Sequence, residues 1–191
     1  MARMNGPDFP PKNLVLIGFM GCGKSTVGRE LHRRLHYPLV DTDHEIEARA
    51  GMPIKEIFAG AGGEPEFRGM ETQLLRELVA GVDADGGDRR IVSTGGGICG
   101  SAENRGLLRR LGYVVWLHAP VEVIIERTSK NQERPLLNTG DPAARIRTLM
   151  KEREPLYRET AHLDIDTSGL DFKEISVGIL ESARYFFTSR L

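Results

Sequence analysis

The chain has 191 residues, 40% of them hydrophobic, which suffices for one well-buried domain, and no interior stretch rich in proline, serine or repeated charge suggests a linker. Its 26 basic and 27 acidic side chains leave a formal net charge of -1, so nothing pulls it strongly toward nucleic acid or anionic lipid. No apolar run approaches the roughly 20 residues of a membrane-spanning helix, the start MARMNGPDFPPKN lacks the apolar segment of a secretory signal, and two cysteines, Cys22 and Cys99, make neither a disulfide framework nor a metal quartet. The expectation is a cytoplasmic monomer with reduced thiols, a single domain over 1–191 with a flexible tail over 1–12, and no nucleic-acid or membrane partner.

In chain order, NLVLIG (13–18) reads as a buried strand and Ser25–His36 as a helix, with Val27, Leu31 and Leu35 at spacings of four. PLVDTD is a short second strand, followed by helical HEIEARA and IKEIFAG and by a longer helix near Glu66–Val79 that carries Leu74, Leu75, Leu78 and Val79. GVDADGGD (81–88) offers nothing to bury and reads as a solvated turn. RRIVST is a strand ending in Gly95, Gly96 and Gly97, and YVVWLHA (113–119) is another, with Pro120 opening the helix VEVIIERT. A polar stretch, SKNQERPLLNTGDP, precedes a helix over about 142–157, a last strand in HLDIDT and a last helix over Phe172–Phe187. Strands alternating with helices, most of the strands continuously apolar, argue for a parallel sheet covered on both faces. Ligands in such sheets bind beyond the carboxyl ends of the strands.

That rule puts the segment LIGFMGCGKSTVGREL at the mouth of a site. Gly18, Gly23, Lys24 and Ser25 satisfy G-x-x-x-x-G-K-S/T between a predicted strand and a predicted helix, the context that a P-loop requires. Its backbone amides can cradle phosphate, Lys24 reach the outer phosphates, and the Ser25 hydroxyl take a place on Mg2+. Asp41 and Asp43 of VDTD fall at the same end of the sheet. They either order magnesium-bound water and take a proton from an attacking hydroxyl, or belong to a helix start in which Thr42 and Glu45 form a capping box. Arg68 in EPEFRGMETQLL stands four residues after Glu64 and serves equally as half of an exposed ion pair. The glycines of STGGG read as a loose turn or as a close approach to a small ligand. Arg134 of ERPLL and Arg153 of KEREPLY, taken singly, read as surface charges.

Taken together and in this order, GFMGCGKST, DTD, FRGME, STGGG, RPLL and REPLY resemble the shikimate kinase family from about Leu14 to Thr167. The resemblance implies a P-loop kinase of the nucleoside-monophosphate-kinase type, an α/β fold with a five-stranded parallel sheet flanked by helices and a mobile lid, here 129–141. It implies transfer of the gamma-phosphoryl group of ATP, with Mg2+, to the 3-hydroxyl of shikimate, giving shikimate 3-phosphate on the route to aromatic amino acids. By matching position, Gly21, Cys22, Gly23, Lys24, Ser25 and Thr26 would hold the ATP phosphates, Ser25 would bind Mg2+ directly and Asp41 through water. Asp43 would act on the reacting hydroxyl. Arg68 and Arg153 would grip the substrate carboxylate with a backbone amide of Gly96 or Gly97, since arginine offers a planar fork that lysine lacks. Arg134 would be the lid arginine over the phosphates, and Arg127 would stack on adenine. The family often has a proline near the adenine after the last strand. DTSGLDF has none, so after the last strand the resemblance assigns no residue to the base beside Arg127, and 83–88 reads as an insertion. A P-loop kinase of another small hydroxylated acid such as gluconate would share the loop but not the whole motif set. A non-catalytic shikimate sensor would have no need of Lys24, Ser25 and Asp43.

Overall fold

A computed structural model describes residues 13–85, 89–129 and 141–188. Its strands are β1 (Asn13–Ile17), β2 (Leu39–Asp41), β3 (Ile91–Ser93), β4 (Gly112–His118) and β5 (Leu163–Asp166). They form one five-stranded sheet in the order β2-β3-β1-β4-β5, parallel at every pairing. The helices are α1 (Lys24–Leu35), α2 (Thr42–Ala50), α3 (Ile54–Ala59), α4 (Gly63–Asp85), α5 (Ala102–Leu111), α6 (Val121–Ser129), α7 (Pro142–Thr160) and α8 (Phe172–Thr188).

Burial explains the sheet order. β1, β3 and β4 are almost wholly buried and hold the centre, whereas the edge strand β5 alternates half-buried Leu163 and Ile165 with exposed Asp164 and Asp166. Leu74, Leu75, Leu78 and Val79 of α4 and Val27 and Leu31 of α1 close the core. The chain leaves β1 for the edge strand β2, returns through β3 to the near side of β1, then continues on its far side through β4 and β5. The reversal lies at β1, so the crevice forms beyond its carboxyl end. Register brings the strand ends level, because Ser93 of β3 pairs with Leu16 of β1 and with Asp41 of β2. The loop after β1, the Asp41–Asp43 segment and the glycine run after β3 therefore share one edge.

Three local expectations change. Residues 98–111, given no element from sequence, fold as a short turn at Ile98–Gly100 and then α5. Ser101 caps α5 by accepting from the Asn104 amide at 3.5 Å, while Leu107, Leu108 and Leu111 bury its inner side. The stretch 81–88 is not a turn throughout, because α4 runs on to Asp85 while Val82 still packs against the core; residues 86–88 lie outside the described residues. The cap of α2 is Asp41, not Thr42, which is the first helical residue. The flexible tail expected over 1–12 and most of the expected lid, 130–140 with Arg134, lie outside the described residues. No helix among the described residues is long and apolar enough to cross a membrane.

Candidate active site

The loop after β1 delivers α1 with its amino end open. Gly23 stands at the cap position with φ 98°, a left-handed backbone suited to glycine, and no side chain among the described residues caps the helix. The first amides of α1 and the positive end of its dipole thus remain available to an anion. Lys24 Nζ donates to the Gly18 and Phe19 carbonyls, each at 2.9 Å, and lies 3.7 Å from Cys22 Sγ. Gly21, Gly23, Lys24, Ser25 and Thr26 line a cavity of about 600 Å³ shared with Asp41, Asp43, Gly96, Arg127 and Phe172. Cys22 departs from this set. Its side chain is fully buried and faces the other way, toward Trp116 and Tyr157, so only its backbone is available to a phosphate. Cys99 is a buried free thiol as well, pushed up to about 12 by burial.

Asp41 does two things at once. Its Oδ1 accepts from the amides of Asp43 at 3.1 Å and His44 at 3.4 Å, which caps α2, and its side chain lines the cavity. Thr42 is buried, and its hydroxyl oxygen accepts from the Gly95 amide at 3.1 Å. This bond ties the start of α2 to the glycine run, so Asp43, in the first turn, is held against Gly95. A side chain at Gly95 would run into the Asp43 and Glu71 carboxylates, and one at Gly97 into the Arg68 guanidinium. The absence of side chains is what lets these charged groups converge.

Arg68 does form the ion pair with Glu64, at 2.7 Å, but its other Nη donates to Glu71 Oε2, also at 2.7 Å. Glu71 is fully buried, and among the described residues its Oε1 has no hydrogen-bond partner. Burial pushes its carboxyl up to about 6, with Arg68 pulling the other way and Asp43 adding repulsion. In the sequence this residue sits in FRGME without a role of its own. The available signal was its position: Phe67, Glu71, Leu74, Leu75 and Leu78 follow helical spacing, so a carboxylate occupies a core-facing place. From the opposite side, Arg153 of α7 donates through Nη1 to the Gly96 carbonyl at 3.0 Å, with its guanidinium 5.6 Å from the Phe19 ring centre. Arg68 and Arg153, 85 positions apart in sequence, are thereby brought to adjacent glycines of one run.

At the far end of the cavity, Arg127 reaches the Gly21 carbonyl at 3.2 Å and the Thr167 hydroxyl at 3.4 Å. Phe172, the first residue of α8, places its ring edge 3.2 Å from where a Cβ on Gly23 would stand. Asp171 and Glu174 fix that ring's position, since the Asp171 amide donates to Glu174 Oε2 at 3.1 Å and the Lys173 amide to Asp171 Oδ1 at 3.4 Å. A guanidinium and a half-buried phenyl ring therefore meet the loop at Gly21 and Gly23. The ring was missed from sequence, where Phe172 reads only as the start of an amphipathic helix.

With this geometry in place, the comparisons with known proteins are specific. The family model described as Shikimate kinase matches residues 20–184. A shikimate kinase of Neisseria meningitidis serogroup C is 46% identical over 155 residues, covering 81% of this chain and 87% of that protein. One from Thioalkalivibrio sulfidiphilus is 42% identical over 174 residues, covering 91% of this chain and 86% of that protein. Among solved structures, shikimate kinase from Acinetobacter baumannii in complex with shikimate superposes with a TM-score of 0.82 at 40% identity, covering 91% of this chain and 93% of that one. The match runs through the loop, the acid pair, the glycine run and both arginine-bearing helices, and this chain belongs to the shikimate kinase family.

Proposed function

We propose that the chain transfers the gamma-phosphoryl group of ATP to a hydroxyl of shikimate, and that it does so with the residues gathered around the cavity at the end of β1. The observation that carries the reading is the convergence, at one cavity, of a phosphate-binding loop with Asp43 and with a glycine run reached by two arginines. Phosphoryl transfer asks little covalent chemistry of a protein, so positioning and charge must supply most of the rate. The loop amides from Gly21 to Thr26 hold the phosphates. Lys24, now bonded to its own loop carbonyls, turns its ammonium to the outer phosphates and follows the charge as it moves.

The donor set suits Mg2+ rather than a metal caged by protein. Among the described residues no group of three or more His, Cys, Asp or Glu is placed to hold a metal ion, and the cavity offers a serine hydroxyl and an aspartate, hard oxygens that leave room for water and phosphate oxygens. Ser25 would bind the ion directly and Asp41 through water, and the ion would neutralise charge on the phosphates.

Arg68 and Arg153 take the acceptor's carboxylate as a pair of planar forks, and Gly96 and Gly97 add backbone amides. Glu64, exposed, must release part of Arg68 for this to happen, which costs little at a solvated ion pair. Asp43 then lies at the acceptor's hydroxyl end, where it orients the hydroxyl and receives its proton as the new P–O bond forms. Arg127 and Phe172 hold the two faces of the base. Arg134 closes over the phosphates. The reaction belongs in the cytoplasm, where ATP is maintained.

A coupled assay of ADP release tests this with Mg-ATP and, in turn, shikimate, quinate, gluconate and nucleoside monophosphates. Shikimate is expected to give the highest kcat/KM. Gluconate also carries a carboxylate, so a preference for gluconate would leave the clamp standing and overturn the assignment of the acceptor.

A further inference from the structure

Tyr157 is used by none of the roles above, yet it is anchored at their centre. It lies on α7 one turn after Arg153 and is 2% exposed. Burial pushes its phenol up, so the hydroxyl keeps its proton at any working pH and remains a donor. That proton goes to the Gly96 carbonyl, which also accepts from Arg153 Nη1. A carbonyl oxygen has two lone pairs, and here both are used by the same helix.

The consequence lies on the other side of the peptide. No peptide in the described chain is cis, so the Gly97 N–H points opposite to the Gly96 C=O. Pinning the carbonyl toward α7 turns this amide away from α7, and the Arg68 guanidinium stands against the same residue, where a Cβ on Gly97 would lie. Neither the Gly96 nor the Gly97 amide donates to a backbone acceptor among the described residues. In a flexible glycine run this orientation must be imposed from outside, because glycine itself prefers no one rotation of the peptide.

We propose that Tyr157 is a positioning residue for substrate recognition: its hydroxyl fixes the 96–97 peptide so that the amide joins Arg68 and Arg153 as a third donor to the acceptor's carboxylate. This rests on the reading that the two arginines hold a carboxylate. The structure also supplies a reporter. Trp116, the sole tryptophan, stacks on Tyr157 with ring centres 5.9 Å apart and planes at 28°. Loading the glycine run should change its fluorescence through Tyr157.

The test is Tyr157→Phe, which keeps the ring and its packing. Loss of one neutral hydrogen bond predicts a rise of about fivefold in KM for shikimate, with kcat within twofold and KM for ATP unchanged. Titration by Trp116 fluorescence should give the same factor in Kd. The preference for shikimate over its neutral carboxamide should fall in the variant. A role in packing alone would instead lower kcat and thermal stability without a selective rise in shikimate KM, and that outcome overturns the proposal. So does a variant with the wild-type KM and the wild-type acid-to-amide ratio. If the wild type itself does not discriminate acid from amide, the carboxylate reading fails and this inference falls with it, a result distinct from failure of Tyr157 alone. A second measurement needs no variant: shikimate binding to the wild-type protein should shift the Gly97 amide resonance in a 15N spectrum, and an unmoved Gly97 resonance would also overturn the proposal.

Discussion

Replacing Arg153 with alanine isolates the carboxylate clamp better than replacing Arg68. Arg68 is paired with the buried Glu71 at 2.7 Å, so its removal strands a buried carboxylate and mixes a folding cost into the kinetics. Arg153 forms no ion pair among the described residues; it donates to the Gly96 carbonyl at 3.0 Å, stands over the Phe19 ring, touches Tyr157 and acts on Glu71 only through its charge, less than Arg68 does. The carbonyl keeps Tyr157 when Arg153 is lost, so no buried group is orphaned. Truncating one partner of a buried charge pair costs about 2–5 kcal/mol; Arg153 is half-buried, which selects the lower end, about 2–3 kcal/mol. At about 1.4 kcal/mol per tenfold, kcat/KM for shikimate should fall about 30- to 150-fold. The assay is ADP release with shikimate varied at saturating Mg-ATP, then ATP varied at saturating shikimate, and a thermal melt. KM for ATP and the melting temperature should be nearly unchanged, and Arg153→Lys should recover little, because a point charge cannot reproduce the fork. An equal loss toward ATP, or none toward shikimate, would refute the clamp.

The same geometry predicts three other outcomes. Asp43→Asn keeps a small polar residue in the first turn of α2 and should preserve folding and nucleotide affinity while turnover drops by about a hundredfold or more; a stable variant with full turnover would leave Asp43 a structural role only. Phe172→Ala should raise KM for ATP about five- to hundredfold, the worth of one aromatic stack on a base, with KM for shikimate unchanged, and equal ATP constants for variant and wild type would remove the ring from the base site. Glu71 has a carboxyl raised from 4.5 to about 6, so its contribution to stability is present below pH 4.5 and is lost as pH rises through 6. At about 1.4 kcal/mol per pH unit, wild type should lose about 2 kcal/mol relative to Glu71→Gln between pH 4 and pH 7. Urea unfolding of both proteins at the two pH values measures this, and a constant difference would place Glu71 in a less hostile setting.

The P-loop motif was legible in the sequence because its residues are local. Gly18, Gly23, Lys24 and Ser25 lie within one loop and the start of one helix, and flanking hydrophobic periodicity alone locates the strand and helix they join. The acid pair and the glycine run were legible as candidates for the same reason, although the capping and the catalytic readings of Asp41 and Asp43 could not be separated there. The fold assigns Asp41 to the cap and the cavity together. What only tertiary structure decided depends on residues far apart in the chain. Whether Glu71 on the inner side of α4 meets water, a hydrophobic neighbour or Arg68 beside Asp43 is set by packing of separate elements, and it is that packing which shifts its ionisation. Tyr157 finds the Gly96 carbonyl 61 residues away, and Phe172 reaches the space over Gly23 only because β5 ends beside the loop, with the Thr167 hydroxyl 3.0 Å from the Cys22 carbonyl. Periodicity says which side of a helix is turned inward; the free energy of what it meets there is fixed by the partner element, which no local pattern encodes.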